Sequence, residues 1–230
     1  MNQEHLELLR KVSFLNQLGT EELDRLASRL VERTFRRDVV VVRADDPGDS
    51  MFFIAGGQAK VVLTAGGGRE VILATLGAGD FFGEMSILDG RPRSATVLSI
   101  TESRMLVLTR EAMIDLIRNT PEIALALLAE MSARLRRADE AIANLALVDV
   151  YGRVARYLID EAKRSGRPVE SGTLLRSRPT QQHIASTIGT SRETVSRALS
   201  DLKRRGLVVT RGRDIIVMPS LYDQVPAAGA

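Results

Sequence analysis

The sequence predicts an α+β chain: an antiparallel β-roll, then a long helix, then a small winged helix-turn-helix. Three observations carry that prediction. Short β-prone runs alternate with glycine turns from Phe35 to Leu108. An apolar seam with a 3.5-residue period follows Pro121. Between Thr180 and Gly206, two short helical patterns flank a glycine. The boundaries read as 1–120, 121–149 and 150–230.

Composition narrows the classes. Of 230 residues, 44% are hydrophobic and 27% charged, which suits a globular chain with ample core. There is no cysteine. Disulfides, thiolate metal sites and iron–sulfur clusters are thereby excluded. No metal is expected. His5 and His183 are the two candidate haem ligands, and His183 falls inside the helix-turn-helix, so haem is not expected either. The opening Met1-Asn2-Gln3-Glu4-His5-Leu6-Glu7 lacks the basic-then-apolar order of a secretory leader. No apolar run approaches the ~18 residues of a membrane span. A cytoplasmic location without membrane contact is expected. Charge is unevenly placed: residues 1–150 hold 18 Lys+Arg against 22 Asp+Glu, and residues 151–230 hold 14 against 7. A basic third on an acidic body is the electrostatic footprint of nucleic-acid binding, though basic faces also occur on proteins that bind nothing anionic.

The elements follow in order. Residues up to about 30 read as helical, with Leu15, Leu18, Leu23, Leu26 and Leu30 near helical spacing and Thr20 as an N-cap. Strands are expected at 39–42, 51–54, 59–63, 71–76, 94–98 and 104–108, punctuated by Asp46-Pro47-Gly48-Asp49, Gly56-Gly57, the turn at 65–68 and Gly77-Ala78-Gly79-Asp80. Pro121 opens a helix to about residue 148, with Ala124, Leu128, Met131, Leu135, Ala138, Ile142 and Leu145 at steps of 4 and 3. It could lie on its own domain's core. A strict two-in-seven seam is narrower than such a helix needs, which favours self-pairing into a homodimer. Arg134, Arg136, Arg137 and Glu140 lie off the seam. Asp149 reads as a hinge and cap, a helix carries Val154, Tyr157, Leu158 and Ala162, and 164–179 reads as a loop. Residues 207–209 and 215–217 read as a hairpin with Arg211 and Arg213 at its tip.

In the 180–206 unit, Thr180 and Ser191 are cap candidates, Ile184, Ala185 and Ile188 form an apolar stripe, and Gly189 permits the turn. At about 100° per residue, Val195, Ala198, Leu199 and Leu202 share one side of the second helix. Arg192, Glu193, Ser196 and Arg197 share the opposite side. That face suits a recognition helix in the major groove, where Arg pairs with guanine O6/N7 and Glu accepts from cytosine N4. A solvated, salt-bridged face is the alternative. Lys203, Arg204, Arg205, Arg211 and Arg213 fit phosphate contacts.

Residues 81–98 hold a second constellation. Gly83, a helical turn with free N–H groups, Arg93 and Ser94 could hold a phosphate, with Glu84 on a ribose hydroxyl. Gly83 could equally be a plain turn, and Glu84 with Arg93 a buried ion pair. No nucleophile–base pair or P-loop is present, so an enzyme is not expected.

Gly83-Glu84, followed nine residues after the glutamate by Arg93-Ser94-Ala95-Thr96-Val97, resembles the phosphate-binding cassette of cyclic-nucleotide-binding domains. Residues 191–197 and 144–153 resemble the cAMP receptor protein and fumarate–nitrate regulator (CRP/FNR) superfamily, and the likeness spans about residues 14–222. The resemblance implies a ligand-responsive transcription regulator; a regulator of the same fold that has lost ligand control is the alternative. It implies Glu84 on the ribose 2′-OH; Arg93 and Ser94, with backbone near Gly83 and Met85, on the cyclic phosphate; and the long helix as dimer interface. It implies Arg192, Glu193 and Arg197 on a TGTGA-like half-site of double-stranded DNA, and RNA polymerase as a further partner. Where cAMP-responsive members place Thr-Ser on the long helix, this chain has Ala138-Asp139. Ala138 offers no hydrogen bond and an ionised Asp139 only accepts. Such an acceptor would suit guanine N1–H and N2–H₂, which brings cGMP and cyclic di-GMP beside cAMP; a solvated Asp139 beside Arg136 or an arginine of a second copy is the alternative.

Overall fold

The computed structural model describes residues 3–12, 14–16, 18–65, 69–176 and 179–224. The chain packs as two units, Met1–Leu135 and Arg136–Ala230, and the division falls within the long helix.

In the first unit, α1 (Gln3–Leu9) and α2 (Thr20–Ala27) precede β1 (Val31–Phe35), β2 (Val40–Val42), β3 (Ser50–Gly56), β4 (Ala59–Ala65), β5 (Arg69–Leu76) and β6 (Phe81–Phe82). Helix α3 (Glu84–Asp89), β7 (Thr96–Ser99), β8 (Ser103–Thr109), α4 (Arg110–Asn119) and α5 (Pro121–Leu147) follow. Two four-stranded antiparallel sheets form, in the orders β1-β8-β3-β6 and β2-β7-β4-β5. Successive strand residues point to opposite faces, and both faces of β3 and β8 are covered. Met51, Phe53, Leu106 and Leu108 pack with Leu9, Leu23, Leu26, Met113, Leu116, Ile123 and Leu127 of the helices. Phe52, Ile54, Met105 and Val107 pack with Ala59 and Val97 of the other sheet. This double burial is why 51–54 is an unbroken apolar run instead of an alternating one.

Three details differ from the sequence expectation. β1 lies ahead of the expected start of the sheet; its first four residues, Val-Glu-Arg-Thr, are exposed, so it carries no apolar signal. The cap of α2 is Gly19, and the Thr20 hydroxyl instead accepts from Arg10 at 3.1 Å. Helix α4 was not anticipated; Thr109 caps it by accepting the Ala112 N–H at 3.2 Å.

The second unit holds α6 (Val150–Ser165), β9 (Arg167–Val169), β10 (Gly172–Leu175), α7 (Gln181–Ile188), α8 (Arg192–Arg204), β11 (Val208–Arg211), β12 (Asp214–Val217) and α9 (Pro219–Gln224). Asp149 caps α6 through the Gly152 N–H at 2.7 Å, as its position suggested. The expected hairpin exists and extends into a sheet of order β11-β12-β10-β9. Its last two strands occupy the stretch expected to be a loop. β9 is an exposed edge of three residues, where Pro168 is tolerated, so proline and charge obscured it. Val154, Leu158, Ile184, Ala185, Val195, Ala198, Leu199, Leu202, Ile215 and Val217 form this unit's core.

Candidate functional site

The β6–α3 turn builds the first candidate site. Gly83 caps α3 in the left-handed region (φ 87°), and a Cβ there would lie 2.6 Å from Arg93 Nη1 and 2.9 Å from the Ser50 carbonyl. Glycine is therefore required on both counts. Arg93 comes from the α3–β7 connection and is 5% exposed. It donates to the Gly83 carbonyl at 3.1 Å and the Ser50 hydroxyl at 3.2 Å. Its backbone is held on both sides, N–H to Asp46 O and C=O from Asp45 N–H, each 2.9 Å. Among the described residues no carboxylate forms an ion pair with it. Burial lowers its pKa, opposed by the charges of Asp49 and Glu84.

Glu84, 4% exposed, does not pair with Arg93. Its Oε1 takes Arg134 Nη1 of α5 at 3.1 Å, while Oε2 is buried with no hydrogen-bond partner. Arg134 also donates to the Phe81 carbonyl at 2.8 Å, stacks 4.2 Å above the Phe81 ring and reaches Glu130 at 3.4 Å. Ser94 is exposed, and its hydroxyl donates to the Sδ of exposed Met85 at 3.5 Å. Gly83, Glu84, Met85, Arg93 and Ser94 thus come together. Ala138 and Asp139 are exposed on the stretch of α5 belonging to the second unit. Sequence reasoning missed Arg134 and Ser50. The available signal was that a buried Glu84 needs a counter-charge, which Arg134, Arg136 or Arg137 could equally supply.

α7 and α8 build the second candidate site. The Thr180 hydroxyl accepts the His183 N–H at 3.1 Å, and the Ser191 hydroxyl accepts the Thr194 N–H at 3.2 Å. Gly189 ends α7 at φ 69°, which turns the chain into α8. Val195, Ala198, Leu199 and Leu202 are buried, whereas Arg192, Glu193 and Arg197 are exposed. A cleft of about 310 Å³ is lined by Gln181, Arg192, Glu193, Ser196 and Arg197. Gln181, the first residue of α7, was not anticipated. The Glu193 carboxyl is held below its ordinary range by its own backbone N–H and the Ser191 hydroxyl, with Arg192 and Arg197 adding to this. Lys203 is exposed in the last turn of α8, and Arg211, opposite Asp214 in register, is exposed at the hairpin tip. Among the described residues no helix is long and apolar enough to cross a membrane.

Residues 32–120 match the family of the cyclic nucleotide-binding domain, and residues 152–221 the Crp-like helix-turn-helix domain. These two domains on one chain define a DNA-binding transcription regulator that carries a small-nucleotide domain. The chain is 34% identical over 214 residues to the CRP-like cAMP-activated global transcriptional regulator of Mycobacterium tuberculosis, covering 93% of this chain and 96% of that one. It belongs to the CRP/FNR family. The c-di-GMP responsive global regulator CLP of Xanthomonas campestris has a similar structure (TM-score 0.77, 25% identity, 87% of this chain and 99% of that one). The catabolite activator protein of Thermus thermophilus is 32% identical, with a TM-score of 0.55 over 92% of this chain and 96% of that one.

Proposed function

We propose that a cyclic nucleotide held at the β6–α3 turn controls how a homodimer binds a palindrome of TGTGA-like half-sites. One observation carries the nucleotide reading: two unmatched buried groups of opposite need flank one glycine turn. Arg93 is a buried cation without a carboxylate pair among the described residues, and Glu84 Oε2 is a buried acceptor without a donor. A cyclic phosphate answers the first and a ribose 2′-OH the second, so one ligand satisfies both. Ser94 joins Arg93 on the phosphate, with backbone of Gly83 and Met85. Ala138 and Asp139 would meet the base. cAMP is the leading effector, because the Mycobacterium relative is named as cAMP-activated. Asp139 and the c-di-GMP responsive structural relative favour testing cGMP and cyclic di-GMP beside it.

The α5 seam supports the dimer. Leu128, Leu135, Ile142 and Leu145 are 60, 63, 63 and 53% exposed, a stripe that a second copy would cover. Each dimer then presents two α8 helices, with Arg192, Glu193, Ser196 and Arg197 on base edges. Thr180, Ser191, Lys203 and Arg211 would meet phosphate. RNA polymerase is the further partner such a regulator implies, and the activity is binding without turnover in the cytoplasm.

Calorimetry of the full chain with cAMP, cGMP and cyclic di-GMP tests the reading. At least one should bind, and Arg93→Ala, folded by circular dichroism, should abolish that binding. Equal affinity in the variant would remove Arg93 from the site; no binding of any of the three to the native protein would sink the proposal.

A further inference from the structure

We propose that Met85 is an oxidation site that gates the nucleotide pocket: conversion of its thioether to the sulfoxide draws the Ser94 hydroxyl away from the ligand and lowers nucleotide affinity. The inference rests on the nucleotide reading above. Two independent observations lead to it.

The first is where the sulfur lies. The chain has seven methionines and no cysteine, so no thiol competes for an oxidant. Met51 and Met105 are 0% exposed and Met113 is 2% exposed, and Met131 and Met218 are partly buried. Met85 is 49% exposed. Among the described residues it is the one exposed methionine, and susceptibility to oxidation follows exposure.

The second is what that sulfur touches. The Ser94 hydroxyl donates to Met85 Sδ at 3.5 Å. A thioether is a weak acceptor, so a nucleotide phosphate takes this hydroxyl from it readily. A peroxide changes the balance. The sulfur lone pair attacks the peroxide, the O–O bond breaks and an S–O bond forms. Sulfur loses two electrons and the peroxide leaves as water or alcohol. The new oxygen is a strong acceptor beside the same hydroxyl, and it carries partial negative charge where the ligand brings a phosphate anion. Met85 is not among the residues that form the buried cores, so the change leaves those cores in place and the effect falls on the ligand. Losing a hydroxyl bond to an anion lowers affinity about tenfold.

The test uses the full chain, with the nucleotide that binds it best among cAMP, cGMP and cyclic di-GMP. Wild type and Met85→Leu are each treated with hydrogen peroxide and compared with their own untreated samples by calorimetry. Oxidised sites are mapped by peptide mass spectrometry. Met85 should oxidise faster than any other described methionine. Treated wild type should lose affinity about tenfold and regain it after methionine sulfoxide reductase. The treated-to-untreated ratio for Met85→Leu should stay at one. Slow oxidation of Met85, oxidation without loss of affinity, or an equal loss in Met85→Leu would each overturn the gate. Untreated protein that binds no nucleotide is a separate outcome; it overturns the pocket itself, and the gate with it.

Discussion

At the scale of the residue, the most consequential contact is one that spacing along the chain cannot reveal. Arg134 and Glu84 stand fifty positions apart, yet their ion pair at 3.1 Å fixes the orientation of the carboxylate. Its energetic role follows from burial. Glu84 has a side chain 5% exposed, so losing its partner leaves a charge with little water to solvate it. Arg134 is 30% exposed, which tempers the pair's strength. Arg134→Met should destabilise the first unit by about 1–3 kcal/mol in urea unfolding. Adding Glu84→Gln should recover most of that loss, because a neutral amide needs no counter-charge. If the double variant is as unstable as the single one, the cost comes from the Phe81 contacts of Arg134 instead. The glycine, both cassette arginine and serine, and Glu84 were legible because their types and order are unusual together. The Glu84 partner was not, since three arginines of one helix answered the same need.

At the scale of the element, legibility tracked how strongly a face is apolar. The buried side of α8 is Val195, Ala198, Leu199 and Leu202, each no more than 4% exposed, and its polar face followed from helical period alone. β1 and β9 escaped notice because exposed edge strands need no apolar residues. In α5, two faces overlap in the sequence. Ile123 and Leu127 are buried in the helix's own unit, while Leu128 and Leu135 are more than half exposed. The seam therefore remains available for a second copy, and covering each such side chain contributes roughly 1.5–3 kcal/mol when burial is complete. Leu135→Lys should convert the proposed dimer to monomer by sedimentation at micromolar concentration; an unchanged dimer would place the interface elsewhere. For α8 and the hairpin, two kinds of arginine should separate. Arg192→Ala should cost about 1–3 kcal/mol on a TGTGA palindrome and little on scrambled duplex. Arg211→Ala should weaken both duplexes alike and lower the salt slope by about one unit. Equal losses for Arg192→Ala on the two duplexes would make it a phosphate contact.

At the scale of the whole molecule, the question is whether nucleotide and DNA answer to one equilibrium. The charge asymmetry is suited to it: residues 151–230 hold 14 Lys+Arg against 7 Asp+Glu and residues 1–150 hold 18 against 22, so the net attraction for phosphate backbone falls on the C-terminal part. Helix α5 contributes residues to both units, and Arg134 ties it to the carboxylate proposed to meet the ribose. A ligand at Glu84 would therefore exchange interactions with a side chain of the helix proposed to carry the dimer seam. If binding there favours the DNA-competent state, linkage makes the coupling reciprocal: the factor by which nucleotide tightens DNA equals the factor by which DNA tightens nucleotide. Couplings of this kind usually fall between about 5- and 150-fold. Anisotropy on the TGTGA palindrome with and without saturating nucleotide gives the first factor, and calorimetry of nucleotide with and without saturating duplex gives the second. Both should exceed fivefold and agree within error, and both should shrink toward one on scrambled duplex, where recognition-helix contacts are lost. A nucleotide that binds tightly yet leaves the palindrome affinity unchanged would be a ligand of the fold without being its effector, because equal affinity for two states shifts neither.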